Sequence, residues 1–208
     1  MDQCETNENT QLAITTKGFS AVCSVRLILA IYHILNNYTT VFIDRDGTIG
    51  GNGHYQSLND FELFPYALSS IARLKAHGMS VFALSNQTHI EKGDMNYYDF
   101  FNSLIKMGFD DAFICPHSEQ TNCNCRKPKK GLIEQAHRKY NFQNKQSIII
   151  GDRFSSDIQL AQNCQMLGIH VATGKFEPQY FIDNQNQQKK NIITVQNLES
   201  AVNYVLSN

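Results

Sequence analysis

From Thr39 onward the chain alternates between two hydrophobic rhythms. Short, near-continuous apolar or β-branched runs occur at 40–43, 80–84, 112–114, 147–150, 169–172 and 192–195. Runs this short and near-continuously apolar predict strands covered on both faces of a sheet. Between them the spacing turns helical. Pro65 opens a segment carrying Leu68, Ile71 and Ala72, with Gly78 at its end. Tyr97, Phe100, Phe101, Leu104 and Ile105 make one helical face that stops at Gly108. Ile158, Ala161, Cys164 and Leu167 recur every third residue before Gly168, and Leu198, Ala201, Val202, Val205 and Leu206 form a last stripe. Strands alternating with helices predict an α/β, doubly wound, mostly parallel Rossmann-like sheet with helices on both faces.

Two stretches break this rhythm. Residues 1–38 read as an N-terminal extension ahead of a 39–208 domain. Its first 18 residues are polar; 19–35 are an apolar run interrupted by Arg26 and His33. An arginine near the centre disfavours a membrane span, and Asn36-Asn37-Tyr38 offers no small-residue cleavage site. The run is therefore read as a docked helix. Residues 183–191 (DNQNQQKKN) are a polar, low-complexity loop.

Composition narrows the classes. Of 208 residues, 42% are hydrophobic and 18% charged, with a formal net charge of −1, which excludes a disordered chain and a generally basic nucleic-acid binder. Six cysteines in a chain of this length are too few for a disulfide scaffold, but Cys115, Cys123 and Cys125 cluster. With His117 they offer three thiols and one imidazole, a donor set that suits a closed tetrahedral Zn²⁺ site. Three reduced cysteines beside a surface histidine is the alternative.

In doubly wound folds ligands bind beyond the carboxyl ends of strands. The first strand runs into Asp44-Arg45-Asp46-Gly47-Thr48, which is either a solvated turn or a pair of carboxylates able to act as nucleophile, metal ligand or acid/base. The second ends in Ser85-Asn86-Gln87, neutral donors suited to phosphoryl oxygens. The fourth ends in Gly151-Asp152, followed by Asp157, with Ser155 placed to cap the next helix. Arg126-Lys127-Pro128 lies between them, directly after the cysteine cluster.

These four segments, in this order, resemble the haloacid dehalogenase (HAD) superfamily of phosphohydrolases, from about residue 40 to 172. FIDRDGTI (42–49), SNQ (85–87) and CRKP (125–128) are similar to the subgroup that holds heptose bisphosphate and histidinol-phosphate phosphatases, which also has a zinc loop of this kind. The resemblance implies a Mg²⁺-dependent hydrolysis of phosphate monoesters through an aspartyl phosphate. It makes Asp44 the nucleophile and a Mg²⁺ ligand, Asp46 the acid/base whose carbonyl also meets the metal, and Asp152 the other metal ligand. Ser85 and Lys127 hold the transferring phosphoryl group. Asn86 and Gln87 assist in binding, Arg126 contacts the rest of the substrate, and Asp157 orients the network. Cys115, His117, Cys123 and Cys125 would hold structural Zn²⁺.

Three departures leave the substrate open: residues 50–58 and 88–93 do not follow the subgroup's pattern, and the fourth motif is one residue longer. The gaps between motifs have no room for a cap domain. The expected partner is a small phosphorylated metabolite, without nucleic acid or membrane, for a monomer or homodimer in a reducing cytoplasm. A polynucleotide 3′-phosphatase and a non-catalytic zinc-stabilised binding module are the competing readings. Roles for Arg45, His54 and His89 stay open.

Overall fold

The computed structural model describes residues 38–175, 177 and 191–208. The extension and most of the polar 183–191 loop therefore lie outside the described residues. Six strands, β1 (Thr40–Ile43), β2 (Ser80–Asn86), β3 (Asp111–Cys115), β4 (Ser147–Gly151), β5 (Leu167–Val171) and β6 (Ile192–Val195), form one sheet. Every pairing is parallel, in the order β3-β2-β1-β4-β5-β6. The helices are α1 (Ala67–Ala76), α2 (Thr88–Glu91), α3 (Tyr97–Lys106), α4 (Gly131–Lys139), α5 (Gln159–Cys164) and α6 (Leu198–Ser207).

Alternate residues of each central strand face two separate cores, as the period of two requires. Val41, Ile43, Val81, Ala83, Ile148 and Ile150 pack with side chains of α1, α3 and α6. Phe42, Phe82, Phe113 and Ile149 pack with Leu132, Ile133 and Ala136 of α4 and Leu160 and Ala161 of α5. Burial on both faces explains why these strands read as unbroken apolar runs.

Three details differ from the sequence reading. Leu68 and Ala72 of α1 face solvent; its buried face is Ala67, Ser70, Ile71 and Leu74. The i, i+3, i+4, i+7 set is satisfied one residue earlier, where small Ala67 and Ser70 allow close approach to the sheet. Leu167 and Gly168 belong to β5, because Gln165 takes a left-handed conformation (φ 58°) and ends α5 first. Ser155 does not cap α5: its hydroxyl and backbone N–H donate to Glu177 instead, at 2.5 and 3.0 Å. A π-helical turn, Phe154–Ile158, leads into that helix.

Strand order reverses around β1, whose neighbours β2 and β4 are reached by connections running in opposite directions. Such a reversal opens a crevice at the strands' carboxyl ends. No folded cap interrupts the described residues: 44–66 is a turn-rich loop with single bridges at Asp46–Gly50 and Gly50–Leu63. Among the described residues no helix is long and apolar enough to cross a membrane.

Candidate active site

Asp44 leaves β1 at the crevice, its backbone N–H still bonded to Ile150 O of β4 at 2.9 Å. The chain then turns sharply through Gly47 (φ 90°), where any Cβ would lie 2.5 Å from Asp152 Oδ2. The glycine is thus required twice, for its left-handed backbone and for the close approach of a neighbouring strand end.

Lys127 is buried and donates all three of its hydrogens: to Asp44 Oδ1 (2.6 Å), Asp157 Oδ1 (2.6 Å) and Leu84 O (2.7 Å). Burial works against its charge, but Asp157 and Asp44 outweigh it and hold its pKa above the usual lysine value. Asn86 fixes this lysine's backbone, accepting from Lys127 N at 3.0 Å and donating to Lys127 O at 3.2 Å. Asp157 also accepts from Arg153 N and Ser156 Oγ, each at 3.3 Å.

Asp152 sits opposite, at the end of β4. Oxygens of Asp44, Asp152 and Asp157 lie within 4.8 Å of one another. Asp152 Oδ2 accepts from Lys175 N at 2.9 Å, while Oδ1 is buried with no hydrogen-bond partner among the described residues. Burial, then the charges of Asp44 and Asp157, push its pKa up to about 8. Burial likewise raises Asp44 against the pull of Lys127. Three buried carboxylates facing one ammonium, with one oxygen left over, fit a hard divalent cation with oxygen ligands.

Asp46 turns to the other side of the crevice. Its Oδ1 accepts from Arg45 Nη1 at 2.6 Å, and its Oδ2 from Gln87 Nε2. Gln87 also donates to the buried Ser85 Oγ at 3.2 Å, which links the first two motifs. Burial raises the Asp46 pKa, with Arg45 opposing.

The cleft holds about 350 Å³, and Asp44, Asp46, Asn86, Gln87, Arg126 and Lys127 line it together with Lys92, Arg153 and Lys175. His54 and His89 border it too, and His89 stacks on Tyr55 with centroids 3.5 Å apart. A larger hollow of about 680 Å³ lies at the amino ends of β4 and β5 and gathers no carboxylates. Sequence reasoning missed the segment after β5. There Thr173 Oγ1 donates to Gly47 O at 2.6 Å, and Gly174 comes so near that a Cβ would run into Asp152 Oδ2. The strand-end rule, extended to the fifth strand, was the available signal.

Beside the cleft, Cys115 Sγ, His117 Nδ1, Cys123 Sγ and Cys125 Sγ converge, with neighbouring distances of 3.2 to 3.7 Å and no disulfide. Zinc–ligand bonds of the usual length give tetrahedral edges of about 3.5–3.8 Å, so the cluster is compatible with zinc. Arg126, next in the chain, donates to His117 O at 3.2 Å, to Thr88 Oγ1 at 3.1 Å and to Glu119 Oε1 at 3.2 Å. The cluster and the cleft therefore share a backbone segment.

Comparison with known proteins agrees with this geometry. Residues 124–200 match the model of the HAD-hydrolase-like family. A Thermoplasma volcanium protein named "Probable D-glycero-D-manno-heptose-1,7-bisphosphate 7-phosphatase" is 31% identical over 137 residues, covering 61% of this chain and 94% of its own. The histidine biosynthesis bifunctional protein HisB of Buchnera aphidicola is 30% identical over 149 residues, 65% of this chain and 42% of that longer one. The crystal structure of D,D-heptose 1,7-bisphosphate phosphatase from B. bronchiseptica, complexed with magnesium and phosphate, superposes with a TM-score of 0.68 at 24% identity, covering 81% of this chain and 98% of that one. The chain belongs to the HAD superfamily of hydrolases. Within it, the chain is a phosphatase, a phosphoric monoester hydrolase.

Proposed function

We propose that this phosphatase hydrolyses the phosphate monoester of a small metabolite, of the sugar-phosphate or histidinol-phosphate type, with Mg²⁺, through an aspartyl phosphate on Asp44. The observation that carries the reading is the buried Asp44 carboxylate, held by Lys127 Nζ at 2.6 Å beside the orphaned oxygen of Asp152. Asp44, Asp152 and the carbonyl of Asp46 would hold the cation, which when bound neutralises charge on phosphate and nucleophile.

In the first step an Asp44 oxygen attacks phosphorus, the bond to the leaving oxygen breaks, and Asp46 gives that oxygen its proton. In the second, Asp46 takes a proton from water as the water attacks phosphorus, and the bond to Asp44 breaks to release inorganic phosphate. Ser85 holds one phosphoryl oxygen; Lys127 holds another by turning to it the hydrogen it otherwise gives Asp44, and Asn86, by gripping the Lys127 backbone, keeps that ammonium in place. Gln87 keeps Asp46 and Ser85 in register, and Arg126 reaches the rest of the substrate. A cleft of about 350 Å³ suits a small molecule. The reading puts this activity in residues 39–208, with a structural Zn²⁺ on the cysteine loop, in a reducing cytoplasm.

A panel of phosphorylated metabolites assayed with Mg²⁺, including heptose 1,7-bisphosphate, histidinol phosphate and a 3′-phosphorylated oligonucleotide, tests the substrate class. Turnover should concentrate on the small molecules. Preference for the oligonucleotide, with strong salt dependence, would move the assignment to a polynucleotide phosphatase.

Two further results are expected. The folded pKa of Asp152 lies near 8, above the ordinary carboxylate range. The favourable neutral form is present at low pH and lost as pH rises toward 8, because the unfolded chain gives up this proton earlier. The cation-free protein should therefore melt at lower temperature at pH 8 than at pH 5, by a slope of up to about 1.4 kcal/mol per pH unit. Mg²⁺ should raise the melting temperature more at pH 8 than at pH 5; equal increments would contradict the assignment of Asp152. Second, Gly174→Ala forces a methyl into Asp152. The Mg²⁺ concentration for half-maximal activity should rise about 10- to 100-fold, with the substrate KM at saturating Mg²⁺ changing far less.

A further inference from the structure

Arg45, between the two signature aspartates, has no assigned task. It is the largest fully buried side chain among the described residues, 1% exposed. Its guanidinium points away from the cleft, between the rings of Phe61 and Phe100, whose centroids lie 3.4 and 5.1 Å from Cζ. Only Nη1 finds a hydrogen-bond acceptor, Asp46 Oδ1 at 2.6 Å; Nε and Nη2 have none among the described residues. The Phe61 ring is seated against Gly50 and Gly51, where a Cβ would meet it at 2.9 and 3.2 Å.

Burying a guanidinium with two idle donors is costly, and an apolar side chain of similar length would fill the same slot. Stability alone does not account for it. What the arrangement achieves is an immobile donor behind Asp46. The guanidinium is planar, permanently charged and gripped by aromatic faces. Gln87 holds the other oxygen of the same carboxylate. Asp46, which lines the cleft, is thus clamped from both sides, and each of its oxygens keeps a further lone pair.

We propose that Arg45 is a positioning residue that orients Asp46 for proton delivery to the leaving group. This rests on the acid/base reading of Asp46 given above. Its signature is selectivity by leaving group. 4-Nitrophenolate departs without a proton, whereas an alkoxide such as that of glycerol phosphate needs one. General acid catalysis contributes about 10²- to 10⁴-fold, and that part alone should fall when Asp46 is free to swing.

The test compares kcat/KM on 4-nitrophenyl phosphate and on glycerol phosphate, with Mg²⁺, for Arg45→Met, Arg45→Lys, Asp46→Asn and the double variant Arg45→Met/Asp46→Asn. Arg45→Met should lose about 100-fold on glycerol phosphate and less than about threefold on 4-nitrophenyl phosphate. Arg45→Lys should recover part of the loss. The double variant should be no slower than Asp46→Asn alone, since Arg45 acts through that carboxylate. Equal losses on both substrates, or losses that multiply in the double variant, would overturn the proposal. If Asp46→Asn is leaving-group selective and Arg45→Met is not, the role of Arg45 falls and the acid/base reading stands. If Asp46→Asn shows no selectivity, both fall. Should Arg45→Met not fold, Phe61→Leu, which removes one face of the clamp, must show the same selectivity in weaker form or the proposal fails.

Discussion

Asp44→Asn should reduce kcat/KM on an aryl phosphate by about 10⁴-fold or more while leaving the protein folded. An amide at this position keeps the shape and an oxygen for Lys127 but cannot form the acyl phosphate. Lys127 retains Asp157 as its ion-pair partner at 2.6 Å, so the buried ammonium is not stranded. The substitution also removes one of the anions that raise Asp152. The cation-free variant should therefore melt no lower than the parent at pH 8, which separates a chemical loss from a folding loss. Beryllium fluoride with Mg²⁺, a mimic of the aspartyl phosphate, should protect the parent against thermal unfolding and leave the variant unprotected. Turnover within tenfold of the parent would remove Asp44 as nucleophile.

The second large effect concerns the cysteine cluster. Purified protein should carry close to one zinc per chain, and Cys125→Ser should abolish it. Structural zinc contributes on the order of 10 kcal/mol to folding of zinc-finger peptides. Here the ligands span a short loop, with Cys115 already anchored at the end of β3, so the ordering should stay local. Without a cation, burial holds the Cys115 thiol well above its usual pKa. The loop continues directly into Arg126 and Lys127, and Arg126 is tied back to His117 O. Loss of zinc should therefore weaken competitive inhibition by inorganic phosphate at least about tenfold, in keeping with the cost of disturbing residues that support a site. Faster proteolysis within residues 116–130 should accompany it. Zinc removal that leaves phosphate inhibition unchanged would make the cluster an independent structural feature.

Much of this molecule was legible along the chain. The central strands announced themselves because both of their faces are buried, so local composition alone marks them; half-exposed β6, at the sheet edge, was marked by its β-branched run Ile192–Val195. Three of the four motifs were legible because each follows a strand directly, and parallel strands deliver their ends to one edge; the fourth, around Lys127, was marked by its place right after the cysteine cluster. The faces of α1 and the end of α5 were not. Leu68 is exposed because helix orientation is set by how closely the backbone approaches the sheet, which small Ala67 and Ser70 decide. The α5 boundary moved because one left-handed residue, Gln165, redirects the chain while the apolar spacing continues unbroken through it.

The same division runs through the site. Sequence by itself named the candidate residues, Asp44, Asp46, Lys127 and Asp152, with three cysteines and a histidine nearby, because residue types, their spacing and their resemblance to a family's motifs are local properties. Only the tertiary structure decided how they are coupled. It put Lys127 between Asp44 and Asp157, closed the segment after β5 over Asp152, and sent Arg45 backward into an aromatic slot behind Asp46. Those arrangements depend on contacts between residues up to 126 positions apart, as between Thr173 and Gly47. Side-chain direction, burial and the pKa shifts that follow arise from such distant neighbours, and no local pattern along the chain encodes them.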